Sequence, residues 1–81
     1  MTREEIVKKT NDFLIEDLEI DGNLLKEEAL LKEDIGIDSL DFVDIVVIVE
    51  RTFGIKIKAE EMGDVKTLGQ FYDYIASKVS K

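Results

Sequence analysis

Two groups of residues have types and spacings that bear on chemistry. The first is Ser39, set between Asp38 and Leu40 in the run DIGIDSLDFVDIVVIVERTFGIKI at residues 34–57. A serine that attacks a substrate needs a positioned base, usually His, and often a G-x-S-x-G elbow. The chain has no His and no such elbow, so Ser39 is not a self-activated nucleophile. On residue types alone it is a helix-capping serine. The second set is Asp17, Glu19, Asp21, Gly22 and Glu28, which occupy the first, third, fifth, sixth and twelfth places of an EF-hand loop, with Leu24 at the apolar eighth. Glu19 stands where a shorter acid is needed, and no second loop follows to pair with this one. An acidic loop with one turn glycine therefore ranks above a calcium site.

Composition narrows the field. A chain of 81 residues is read as one domain, 1–81, with a modest core. Without Cys or His it has no thiolate, no imidazole base and no commonest metal ligand, and an enzyme is hard to build. Nineteen acids against 11 bases give a net charge of −8, which repels nucleic acid and attracts basic partner surfaces. There is no apolar run long enough for a membrane span and no signal-peptide pattern, so the expected setting is the cytoplasm.

The elements that must position these residues follow from caps and periodicity. Thr2 and Glu5 form a T-x-x-E capping box, and Ile6, Thr10, Phe13 and Leu14 share a face with Val7 and Leu18 at its edge, predicting a helix over residues 3–17. Residues 18–37 form a long connection pinned by Ile20, Leu24, Leu25, Leu30, Leu31 and Ile35, with a helical turn expected at residues 26–31. Asp38 is an N-cap and Gly54 a C-cap for a helix over residues 39–53. The run Val46, Val47, Ile48, Val49 suits a strand, but fifteen residues without Gly or Pro exceed the roughly 5–6 of a usual strand. A short turn is expected over residues 59–62, ended by Gly63. Thr67 and Gln70 form a second capping box ahead of a last helix carrying Leu68, Phe71, Tyr72, Ile75 and Val79, with Lys78 and Lys81 at the end where cations suit the dipole. Tyr72 and Tyr74 are read as packing and rim residues.

The second helix has two apolar faces. Phe42, Ile45, Val46, Val49 and Phe53 form the core side. Leu40, Val43 and Val47 form a separate stripe, with Asp41, Asp44 and Glu50 beside or within it. A helix buried on both sides is the simpler alternative, but in so short a chain few helices can be covered all round, and an apolar stripe with an acidic border is read as a partner surface.

Asp38, Ser39 and Leu40, preceded by Asp34, Ile35 and Gly36, resemble the lead-in and attachment motif of the acyl carrier proteins, and the resemblance runs over the whole chain. It implies an all-α fold: a small four-helix bundle of three long helices and one short, with a long loop after the first. It implies a carrier rather than an enzyme, with Ser39 esterified to 4'-phosphopantetheine drawn from coenzyme A. The thiol at the end of that arm would carry acyl groups as thioesters. The implied partners are a phosphopantetheinyl transferase and acyl-transferring enzymes of fatty acid, polyketide or specialised lipid synthesis, meeting a monomer through Asp38, Leu40, Asp41, Val43, Asp44, Val47 and Glu50. The implied acyl-lining residues are Phe42, Ile45, Val46, Val49, Ile57, Met62 and Leu68. Phe42 stands where a smaller residue is common, Arg51 where an acid is common and Lys58 where Pro is frequent. The first two raise a carrier dedicated to one pathway as the rival of a general fatty-acid carrier. Two more rivals stand beside these: a peptidyl carrier, which usually reads Gly-Gly-x-Ser, and a single EF-hand-like calcium-binding module at residues 17–28.

Overall fold

The computed structural model describes the backbone of residues 2–79 and the side chains of all of these but Ser39 and Ala59; Lys81, expected to complement the last helix's dipole, lies outside the described residues. Helix α1 (Arg3–Glu16) starts at the expected capping box: Glu5 N–H donates to Thr2 Oγ1 at 3.2 Å, and Thr2 N–H donates to Glu5 Oε1 at 3.4 Å. It buries Ile6, Thr10, Phe13 and Leu14. The chain then folds back through Glu19 at φ +56°, and Ile20 N–H donates to Leu14 O at 3.0 Å.

The long connection is ordered by hydrogen bonds that its sequence does not advertise. Its helical turn is a 3-10 turn at Gly22–Leu24, earlier than the expected residues 26–31, because Asp21 Oδ1 accepts from Asn23 N–H at 2.9 Å and starts it. Residues 26–29 make only a tight turn, closed from Ala29 N–H to Lys26 O at 3.0 Å. An isolated antiparallel bridge then joins Leu30 to Thr67. Around it, Leu31 N–H donates to Lys66 O at 2.9 Å, Leu68 N–H to Ala29 O at 3.0 Å and Gly69 N–H to Glu27 O at 2.9 Å. Gly69 permits this approach, since a Cβ there would lie 3.1 Å from Glu27 O. Of the expected anchors, Leu31 and Ile35 are buried and Ile20, Leu25 and Leu30 partly so, whereas Leu24 is exposed. Ala29 and Ile37 join the core instead.

Helix α2 spans Ser39–Phe53, as its caps foretell, and closes on Gly54 at φ 68°, a left-handed position that favours glycine. The short turn after it is a 3-10 segment, Ala59–Asp64, that runs through Gly63. Gly63 fails to end it because only Gly36 and Gly54 among the glycines take positive φ. Helix α3 (Leu68–Val79) begins at Thr67, whose Oγ1 accepts from Gln70 N–H at 3.2 Å, while Gln70 Oε1 accepts from Lys66 N–H at 2.7 Å and Thr67 N–H at 3.1 Å. Tyr74 donates its hydroxyl proton to Glu61, and Lys78 Nζ lies 3.5 Å from the same carboxylate, so α3 holds the 3-10 segment in place.

The architecture is all-α, with the 3-10 segment in the place of a fourth helix. The core joins Leu14 of α1, Ile45 and Val49 of α2 and Leu68, Phe71 and Ile75 of α3. Tyr72 is a core residue, 2% exposed, with its hydroxyl donating to Asn11 Oδ1; Tyr74 sits half-buried at the rim.

Candidate functional site

Ser39 is the first residue of α2 and follows the N-cap Asp38. Several turns converge to place it there. Asp34 and Ile35 N–H both donate to Leu30 O, and Asp34 Oδ2 accepts from Leu30 N–H at 2.9 Å. Gly36, at φ 87°, then turns the chain so that Ile37 N–H reaches Leu31 O at 2.8 Å and Ile37 is buried. The Asp-Ile-Gly-Ile lead-in is thus a clamp that fixes where α2 begins.

Asp38 and Asp41 cap the helix reciprocally. Asp38 Oδ1 accepts from Leu40 N–H and Asp41 N–H, each at 3.0 Å, and Asp41 Oδ2 accepts from Asp38 N–H at 3.2 Å. Two of the amide donors that a helix start offers an anion are therefore already taken. An anionic group attached at this helix start would meet the positive end of the helix dipole but not those two N–H groups, and Asp38 beside it would repel it. Leu40 is 79% exposed and Asp38 is exposed, so a bulky arm at this turn displaces no core.

The outer stripe of α2 is open: Val43 is 56% and Val47 50% exposed, and Asp44 is exposed beside them. On the opposite face Ile45 and Val49 are 1% and 0% exposed, with Phe42, Val46 and Phe53 packed against the core. Glu50, grouped by sequence with the partner surface, is half-buried, and its Oε2 accepts from Ile57 N–H at 3.2 Å. It ties the end of α2 to the link that follows and adds little to the acidic border. Arg51 is exposed in the last turn, where a cation suits the dipole.

A cleft of about 590 Å³ opens between α2, the loop at Leu30 and the 3-10 segment. Of the acyl-lining residues expected from sequence, Phe42 and Met62 line it. Ile45, Val49, Ile57 and Leu68 are sealed in the core, and Val46 packs half-buried against it. The rest of the lining comes from residues the sequence did not single out for it: Leu30 and Val65 on the floor, Lys32, Glu33, Glu60 and Lys66 on the rim. The positions of Leu30, Lys32 and Lys66 depend on the Leu30–Thr67 bridge, which leaves no periodic trace in sequence.

Asp21 is spent on the 3-10 turn, and the EF-hand spacing gathers no cluster of three acids among the described residues. Nor is any described helix long and apolar enough to cross a membrane.

Comparison with known proteins agrees with this geometry. The family described as "Phosphopantetheine attachment site" matches residues 12–75. The chain belongs to the acyl carrier protein family. It is 38% identical to an acyl carrier protein of Thermotoga maritima over 78 residues, 96% of each chain. It is 34% identical to one from Thermosynechococcus vestitus over 80 residues, 99% of each. It superposes on a crystal structure of the Thermotoga maritima acyl carrier protein with a TM-score of 0.83 at 28% identity, covering 99% of this chain and 93% of that one. As a member of that family it is a carrier bearing a phosphopantetheine attachment site, and not an enzyme. The EF-hand reading is thereby set aside.

Proposed function

We propose that Ser39 is the residue that receives the 4'-phosphopantetheine arm. The observation that carries this is its place: the first residue of α2, held by the Gly36 clamp and the Asp38–Asp41 cap, at the head of an exposed apolar stripe. The arm supplies a thiol that this Cys-free chain lacks, and the acyl cargo rides on it as a thioester. The chain's own residues hold the attachment turn rigid and keep the phosphodiester turned outward.

Leu40, Val43 and Val47, bordered by Asp44 and the capping acids, form the surface read by partners: a phosphopantetheinyl transferase first, then acyl-transferring enzymes of fatty acid or related synthesis with basic docking faces. An apolar centre with charged edges suits transient docking, with the acids acting on encounter rate. Incubation of the apo protein with coenzyme A and a broad-specificity transferase tests the assignment. One phosphopantetheine should add to the wild type and none to Ser39→Ala, whose helical signal should be unchanged. Addition at another residue refutes it.

A further inference from the structure

Arg51 is the charged residue of α2 that the carrier reading leaves unused. Counted from Leu40 at about 100° per residue, Val47 and Arg51 fall within roughly 20° of one line, so Arg51 continues the exposed stripe past Val47. Asp44, Val47 and Arg51 also line one hollow of about 290 Å³, completed by Asp17 and Leu18 at the end of α1 and by Ile48. Glu50, the neighbouring acid, is drawn to Ile57 N–H at 3.2 Å, so the outward charge at this end of the stripe is positive. The stripe therefore changes sign along its length: Asp38 and Asp44 are exposed toward Ser39, and Arg51 is exposed at the far end. Asp44 and Arg51 are seven residues apart, or about 10 Å along the axis, close to the screening length at physiological salt. A partner meets two separate charges there, not a cancelled pair. Among the described residues Arg51 makes no ion pair, although Asp17 and Asp44 line the same hollow, so its guanidinium is open to an incoming carboxylate. A standard interface covers about 800 Å² of each partner, a patch roughly 30 Å across. The stripe from Leu40 to Arg51 is about 17 Å long, so an enzyme seated on it covers both ends.

We infer that Arg51 selects the partner: this carrier docks on an acyl-transferring enzyme with basic groups opposite Asp38 and Asp44 and a carboxylate opposite Arg51, and fits poorly on a docking face that is basic throughout. The inference rests on the carrier reading of Ser39. The probe is a fatty-acid-synthesis acyltransferase with a uniformly basic docking face, which moves an acyl group from a coenzyme A thioester to the arm's thiol and releases coenzyme A. It is used unaltered and as a set of variants, each with one docking-face Lys or Arg changed to Glu. The carriers are the arm-bearing wild type, Arg51→Gln and Arg51→Glu, compared by kcat/KM below their melting ranges. With the unaltered enzyme Arg51→Glu should gain about threefold over the wild type, the size expected of an exposed ion pair, and the gain should appear in KM. Arg51→Gln should fall between them, and high salt should shrink the differences. One enzyme variant should reverse the order and favour the wild type. A cation that serves only the helix dipole would change the melting temperature, but not the order of the carriers from one enzyme variant to another. No gain in Arg51→Glu with the unaltered enzyme, or an order that no enzyme variant reverses, overturns the inference. If no arm attaches to the wild type, the carrier reading falls and the inference with it; if the arm attaches at Ser39 and these rates do not respond, only the inference falls.

Discussion

Val47 and Val49 are the same residue type, two positions apart in one helix, yet the fold gives them opposite fates. Val49 is 0% exposed, whereas Val47 is 50% exposed on the outer stripe. Full burial of such a side chain is worth about 1.5–3 kcal/mol, and truncation in a closed core adds a cavity term. Val49→Ala should therefore cost roughly 2 kcal/mol. At about 4–8 °C per kcal/mol for a domain of this size, that lowers the melting temperature by on the order of 10 °C. Val47→Ala loses only part of that burial and recovers some of it, because Ala is the better helix former; the net change should stay within about 0.5 kcal/mol. Thermal unfolding followed by far-UV circular dichroism measures both. Acyl or phosphopantetheinyl transfer should respond the other way, falling in Val47→Ala and changing little in Val49→Ala below its melting range. A severe stability loss in Val47→Ala, or unchanged transfer, refutes the docking stripe.

Three further outcomes follow from the packing. Thr10 is 0% exposed and its hydroxyl has no hydrogen-bond partner among the described residues; since an unsatisfied buried hydroxyl costs about 1–3 kcal/mol, the near-isosteric Thr10→Val should raise the melting temperature, and a fall would show that the hydroxyl is bonded. A Cβ at position 69 would lie 3.1 Å from Glu27 O and 3.2 Å from Glu27 Cβ, so Gly69→Val should loosen the bridge and speed hydrogen exchange at Leu31 and Leu68; unchanged exchange would contradict the close approach. Burial pushes the Tyr72 phenol up to about 12, against a weaker opposing effect of its bond to Asn11. The folded state then holds the proton more tightly than the unfolded one, so this stability is intact below pH about 10 and is lost as the pH rises from about 10 to 12. Phenolate absorbance should appear together with loss of helicity in that window; ionisation of both tyrosines near pH 10 with the helices intact would contradict it.

What sequence reveals here depends on how local the cause is. The bounds of α2 follow from Asp38 and Gly54, and the capping pairs Thr2–Glu5 and Thr67–Gln70 form as written, because each is decided within four residues. Helical spacing separates Ile45 and Val49 from Val43 and Val47 for the same reason. The connection between α1 and α2 is different. Its shape is decided by Thr67, Leu68 and Gly69, nearly forty residues further along the chain, so local sequence places the helical turn too late and gives no sign of the charged rim of the cleft. Leu24 looked like an anchor by hydropathy alone, yet the 3-10 turn started by Asp21 leaves it outside. Glu50 shows the limit of reading a helix as a wheel: its position adjoins the stripe, but its length lets it reach Ile57 N–H. Gly69 could have been noticed as a glycine just inside a helix start, where only a close approach explains the lost helix propensity.

The attachment at Ser39 is the claim on which the rest depends, and intact-mass analysis of protein purified from its own host, followed by fragmentation, tests it most directly. The expected result is one phosphopantetheine, localised to the peptide containing Ser39 and absent from Ser39→Ala. A modification mapped to any other residue, or a wild-type protein that stays unmodified after treatment with coenzyme A and an active transferase, would contradict it.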